Sequence, residues 1–135
     1  MEILYETYAK TINIEALTMI DMANKQYIPA VIKYTKSLAD TVLAVKEAGA
    51  DAAVQAELLN AVSSKLAEAK AAVKNLENVH AKATAMPNGK DKAFYYYNTV
   101  VNAMDALRAP VDALETMVDA DIWPVPSYAE LIFEV

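Results

Sequence analysis

The chain has no cysteine, two glycines (Gly49 and Gly89) and a single histidine in 135 residues. Without cysteine it can form no disulfide, thiolate metal site or cysteine nucleophile, and such a composition fits a reducing compartment. So few glycines exclude a phosphate-binding glycine loop and leave little material for tight hairpins, which favours helices. One histidine leaves few options for a nucleophile–base–acid constellation. No stretch approaches about eighteen uninterrupted apolar residues, so no transmembrane helix is expected. The start, Met-Glu-Ile-Leu-Tyr-Glu, lacks the basic head and apolar run of a secretory signal. The expected location is cytoplasmic.

A basic excess is missing too. Residues 1–90 hold ten acidic and ten basic side chains, whereas residues 91–135 hold eight acidic and two basic ones and so carry the whole net charge of −6. A nucleic-acid binder needs a basic stripe that releases counterions from phosphates, and this chain offers the opposite. No nucleic acid and no membrane are expected as partners.

What the chain does have is helical periodicity. Leu17, Ile20, Asn24, Tyr27, Val31, Tyr34, Leu38, Thr41 and Val45 recur at three- and four-residue steps, which places them on one face of a helix. Pro29 falls inside this run. It cannot donate to the Lys25 carbonyl, so a bend or short break near Lys25–Ile28 is expected. Gly49 suits a left-handed C-terminal cap. Asp51 can cap a second helix with the stripe Leu58, Val62, Leu66, Ala69, Val73, Leu76, His80 and Ala83. The sequence Met86-Pro87-Asn88-Gly89-Lys90 is the clearest loop. Asp91 can then cap a third helix through Phe94, Val100, Met104, Leu107, Val111, Leu114 and Val118, with a kink at Pro110.

The expected fold is all-α, an up-down bundle of three long helices, or four if the first breaks at Pro29. Beyond Asp121 the pattern changes, because Pro124 and Pro126 force extended geometry on Ile122–Tyr128. Ala129–Val135 alternates loosely and fits a strand or a short helix. The domain is read as a bundle over 1–121 with a C-terminal docking tail over 122–135. That tail is apolar enough to require a surface to dock on.

Candidate chemistry is sparse. Glu77 and His80 match the Glu-x-x-His element of di-iron bundles, but that site needs two such elements and two further carboxylates. The plain alternative is a half-buried histidine ending a core stripe. Asp112, Glu115, Asp119 and Asp121 form an acidic face without the spacing of a calcium loop, and such clusters are usually solvated or paired with a basic partner. Tyr95-Tyr96-Tyr97 point about 100° apart on a helix, so at least one faces outward or toward a neighbour. No catalytic site, cofactor site or metal site is read in the chain itself.

Two stretches nevertheless resemble a known family. Ile14-Glu15-Ala16-Leu17, continuing through Ile20-Asp21-Met22-Ala23 to Ile28-Pro29-Ala30-Val31-Ile32-Lys33-Tyr34, resembles the C-terminal region of type III glutamine synthetases. So does the ending, from Leu107-Arg108-Ala109-Pro110 through Val118-Asp119-Ala120-Asp121 to Trp123-Pro124-Val125-Pro126-Ser127-Tyr128 and Glu134-Val135. The resemblance runs from about Tyr5 to the last residue, with a generic middle helix.

In that family ATP, glutamate, ammonia and divalent metal (magnesium or manganese) are handled by domains upstream of this region. The resemblance therefore implies a helical C-terminal module of an ATP-dependent glutamate–ammonia ligase, present as a fragment without the catalytic domain. It transfers no catalytic residue, and whether the chain is itself an enzyme is left open. The implied partners are the catalytic domain of the parent chain and neighbouring subunits of a homo-oligomer. Candidate docking residues are Pro29, Tyr34, Tyr96, Trp123, Pro124, Tyr128 and Phe133. Two rival readings remain, a stand-alone helical adaptor for a protein partner and a metal-binding bundle that uses Glu77 and His80.

Overall fold

The computed structural model describes the backbone of residues 2–125 and the side chains of residues 6–125. Three helical rods run up, down and up. The first is composite: α1 (Glu2–Met22) passes through a π-helical turn, Ala23–Tyr27, directly into α2 (Ile28–Glu47). The second rod is α3 (Ala53–Ala85). The third joins α4 (Lys90–Tyr95), a second π-helical turn (Tyr96–Val100) and α5 (Val101–Met117).

Pro29 neither breaks nor ends the first rod. It lies in the first turn of α2, where a missing N–H costs least. Just before it the helix widens, and the Ile28 N–H closes on the Ala23 carbonyl five residues back. The irregularity expected near Lys25–Ile28 is thus a wide turn, and the bundle has three rods. The wide turn also resets the phase of the stripe. Ala23, Tyr27 and Val31 follow one another at four-residue steps, while Leu17 and Thr41, both read as stripe positions, are exposed. Ile12, Ala16, Ala30 and Val42 are buried instead.

A second wide turn has no proline to account for it. The Val101 N–H reaches the Tyr96 carbonyl, and the inward face runs Ala93, Tyr96, Val100, Met104 and Leu107. Phe94, expected on the stripe, is exposed: it stands six residues before Val100, about 120° off that face even in a regular helix. Further on, α5 continues unbroken through Pro110, which is buried.

The connections follow their turn chemistry. Gly49 adopts φ +84°, its N–H reaches the Lys46 carbonyl (3.0 Å) and the Ala50 N–H reaches the Val45 carbonyl (3.1 Å). That pair of bonds is a Schellman closure of the first rod. Asp51 accepts from the Ala53 N–H at 2.9 Å and so satisfies one free donor of α3. Asp91 does not cap the third rod. It sits inside the first turn, after Gly89 with φ +141° and ψ −169°, where its charge still complements the helix dipole.

The core has two parts. One packs Ile12, Ala16 and Ala23 against Val73, Leu76 and Ala83 of α3 and against Tyr96, Val100, Ala103, Met104 and Leu107 of the third rod. Its many alanines let the helices approach closely. The other packs Val31 and Leu38 against Val62, Ala69, Leu114, Val118 and Trp123. Tyr27, on the first wide turn, and Val111 touch both parts and join them. The observed ion pairs, such as Lys25–Asp21 and Arg108–Asp105, lie within single helices and are exposed, so they contribute little to joining the rods. Apolar burial holds the bundle together.

Candidate functional site

The polar contacts between rods centre on two asparagines of the first rod. Asn13 Oδ1 accepts from His80 Nε2 at 2.5 Å and from the Tyr96 hydroxyl at 3.3 Å, so one side-chain carbonyl ties all three rods. Burial lowers the His80 pKa and raises that of Tyr96, which keeps the imidazole neutral and the phenol protonated near neutrality. A neutral imidazole donating from Nε2 is the tautomer this contact requires. Beside Ala23 and Leu76 of the first core, Asn24 Nδ2 donates to Glu77 Oε1 at 3.3 Å.

This arrangement assigns Glu77 and His80 separate structural partners. Glu77 is exposed and His80 half-buried. Among the described residues no group of three or more histidines, aspartates and glutamates is placed to hold a metal ion. The carboxylates of the acidic face have other roles. Glu115 and Asp112 add to burial in raising the Tyr27 pKa, burial being the larger cause. Asp119 accepts from the Asp121 N–H at 2.9 Å and shapes the turn after α5.

That turn brings Trp123 back onto the bundle. The Ile122 and Trp123 N–H groups both reach the Asp119 carbonyl, and the indole stacks on Tyr27 with centroids 5.1 Å apart and an interplanar angle of 24°. Trp123 is 8% exposed, and among the described residues its buried Nε1 has no hydrogen-bond partner. An orphaned donor of this kind costs about 1–3 kcal/mol, which the stack and the apolar contacts must outweigh.

Of the candidate docking residues, Pro29 and Tyr34 are half-buried, with Tyr34 packed on the second core, and Pro124 is exposed. Tyr96 is turned fully inward, while the neighbouring Tyr97 is exposed and meets Tyr8 with ring centroids 5.6 Å apart. Tyr128 and Phe133 lie outside the described residues, as does the strand-or-helix question for 129–135.

Sequence reading missed two features. Asn13 lies off the apolar stripe and gave no motif; the signal was His80, a polar ring on a core face that demands a partner. The other is a set of large apolar side chains on the outside of the first rod: Ile14 (64% exposed), Leu17 (47%), Ile32 (53%) and Leu43 (67%). Ile32 and Leu43 fall near whole numbers of turns from Leu17 once the wide turn is counted, and Ile14 lies one turn before it. They form a strip on the side turned away from the core.

Residues 1–46, the whole first rod nearly to its end, match the model of the glutamine synthetase C-terminal domain. A glutamine synthetase of Butyrivibrio fibrisolvens is 32% identical over 136 aligned residues, covering 99% of this chain and 19% of the relative. One of Bacteroides fragilis is 29% identical over 139 residues, and a type-3 glutamine synthetase of Dictyostelium discoideum is 30% identical over 143. Each of these covers 98% of this chain and 19% of the relative. The chain is thus similar to the C-terminal domain of glutamine synthetases over its first rod, and to glutamine synthetases over nearly its whole length.

The glutamine synthetase match and the outer strip occupy the same stretch. Ile14, Leu17, Ile32 and Leu43 all lie within residues 1–46. The chain spans 19% of the length of each of these glutamine synthetases. No helix among the described residues is long and apolar enough to cross a membrane.

Proposed function

We propose that this chain is a noncatalytic module of an ATP-dependent glutamate–ammonia ligase, packing on the catalytic body and supporting assembly of a homo-oligomer. The observation that carries the reading is the apolar strip Ile14, Leu17, Ile32 and Leu43, exposed on the stretch that matches the family. Large apolar side chains gathered on one side of a helix call for a covering surface. The tail over 122–135 is proposed as a second docking element, with Pro124 exposed and Trp123 held in this chain's own core.

In this reading ATP and the divalent metal belong to the catalytic body, and this chain contributes contact area. The acidic bias of residues 91–135 gives the module one strongly negative region that a basic surface would complement.

The test mixes the purified chain with a type-3 glutamine synthetase body lacking its own C-terminal module, and follows association by size exclusion with light scattering. The wild-type chain is expected to co-elute, and an Ile14→Asp, Leu43→Asp double variant with unchanged helical dichroism is expected to lose that association. Equal binding by the double variant would remove the strip from the interface. Glutamine formed by the isolated chain from glutamate, ammonia and ATP would overturn the noncatalytic role.

A further inference from the structure

At the end of the bundle where the loop between the second and third rods meets α1, a cleft of about 180 Å³ opens to solvent. That is far more room than one water needs. Its polar lining includes Lys10 and Asn13 of α1, Asn88 of the loop, and Lys92 and Tyr96 of the third rod. The hydrogen bonding of these groups is one-sided. Asn13 Oδ1 is occupied by His80 and Tyr96, and Asn88 Oδ1 by Lys92 Nζ at 3.4 Å. Both asparagine carbonyls are therefore engaged, and among the described residues neither NH₂ group has a hydrogen-bond partner, so both are donors available beside the cleft. Lys10 has no carboxylate partner among the described residues. One acid, Glu6, also lines the space and opposes two ammonium groups.

We propose that this cleft binds a phosphate-type oxyanion. Two ammonium groups from different rods and two amide NH₂ groups provide donors and positive charge together, as an oxyanion requires. The Asn13 amide is pre-oriented by donors from two other rods, so the site is set by the packing of the bundle and needs no partner chain. The inference is independent of the docking role proposed above.

The test is a titration of the full chain with inorganic phosphate, with ionic strength held constant by chloride, read from the side-chain amide resonances of Asn13 and Asn88. Saturable shifts of both are expected, with acetate binding more weakly than phosphate. Lys10→Ala and Lys92→Ala are each expected to weaken binding about fivefold or more, the loss of one partly exposed charge contact. Lys70→Ala, on the solvated face of α3, should leave it unchanged. Glu6→Gln should tighten it, a change of sign that general salt effects do not produce. Shifts that rise linearly without saturating, or a Lys10→Ala variant of full helical content that binds as well as the wild type, would overturn the proposal. So would acetate binding as tightly as phosphate.

Discussion

Replacing Trp123 tests whether the turn after α5 is part of the fold or merely rests on it. The indole is 8% exposed, stacks on Tyr27 at 5.1 Å and shares a core with Val31, Leu38, Val62, Leu114 and Val118. Truncating a buried aromatic to alanine costs about 3–5 kcal/mol in a well-packed site. Two features reduce that figure here. The residue sits beyond the last helix, on a turn able to relax into the space vacated. Its Nε1–H is orphaned, so deletion also removes a penalty of about 1–3 kcal/mol. The net expectation for Trp123→Ala is a loss of about 1–2 kcal/mol.

Trp123→Phe separates the two contributions, because it keeps a ring over Tyr27 and deletes only the unpartnered donor and part of the volume. It should cost about 1 kcal/mol or less. Urea unfolding followed by far-UV circular dichroism measures both variants. As the sole tryptophan, Trp123 also reports on the wild type, and its fluorescence transition should coincide with the loss of helix. A phenylalanine variant as unstable as the alanine variant would mean that the indole N–H is partnered. A fluorescence change at lower urea than the helical transition would mean that the turn peels away separately.

Other outcomes follow from the same contacts. Burial lowers the His80 pKa, so below about pH 6.5 the unfolded chain binds more protons than the folded one and stability falls with pH toward the lowered folded value. His80→Gln should flatten that part of a pH series of urea midpoints, and an unchanged slope would assign it to other groups. Gly49→Ala should cost about 1 kcal/mol, because an added Cβ meets nothing and only the left-handed φ of +84° is strained. Gly89→Ala, at φ +141° and ψ −169°, should cost more, about 1–3 kcal/mol, in a region nearly closed to other residues. Pro29→Ala should keep the bundle folded with full helical dichroism, since Pro29 occupies the tolerant first turn of α2; loss of most helical signal would show that folding needs the proline.

The rods, their connections and most of the buried faces were legible in the sequence because each rests on local rules. Every stripe position read in α3 is at least half-buried, since nothing interrupts its helical phase. Leu17 and Thr41 are misplaced on the rod whose phase the first wide turn resets, whereas Phe94, six residues before Val100, stood off the helical period from the start. A π-helical turn inserts a residue without any composition signal, and only the Pro29 one announced itself. Asn13 was invisible for a different reason. Its partners, His80 and Tyr96, are distant in sequence and meet it only through the packing of three rods. The acidic quartet shows the limit of clustering in sequence. Asp112 and Glu115 act on Tyr27 from α5, whereas Asp119 and Asp121 shape the following turn.

The first rod brings these points to one place. Its inner face is accounted for by this chain's own packing, from Ile12 and Ala16 through Tyr27 to Val42. Its outer face carries Ile14, Leu17, Ile32 and Leu43, each at least 47% exposed, and none of these contributes to either core. A solvated helix face normally carries charge there, as α3 does with Lys70, Lys74 and Glu77. The wide turn at Ala23–Tyr27 has a consequence for both faces. By resetting the helical phase ahead of Pro29, it keeps Val31 and Leu38 inward while Ile32 and Leu43 stay on the same outer side as Leu17. A regular helix over the same residues would rotate Val31 and Leu38 by about 100°, away from the line of Ala16 and Ala23. The wide turn therefore serves the inner packing, and a change that removed it would be felt there first.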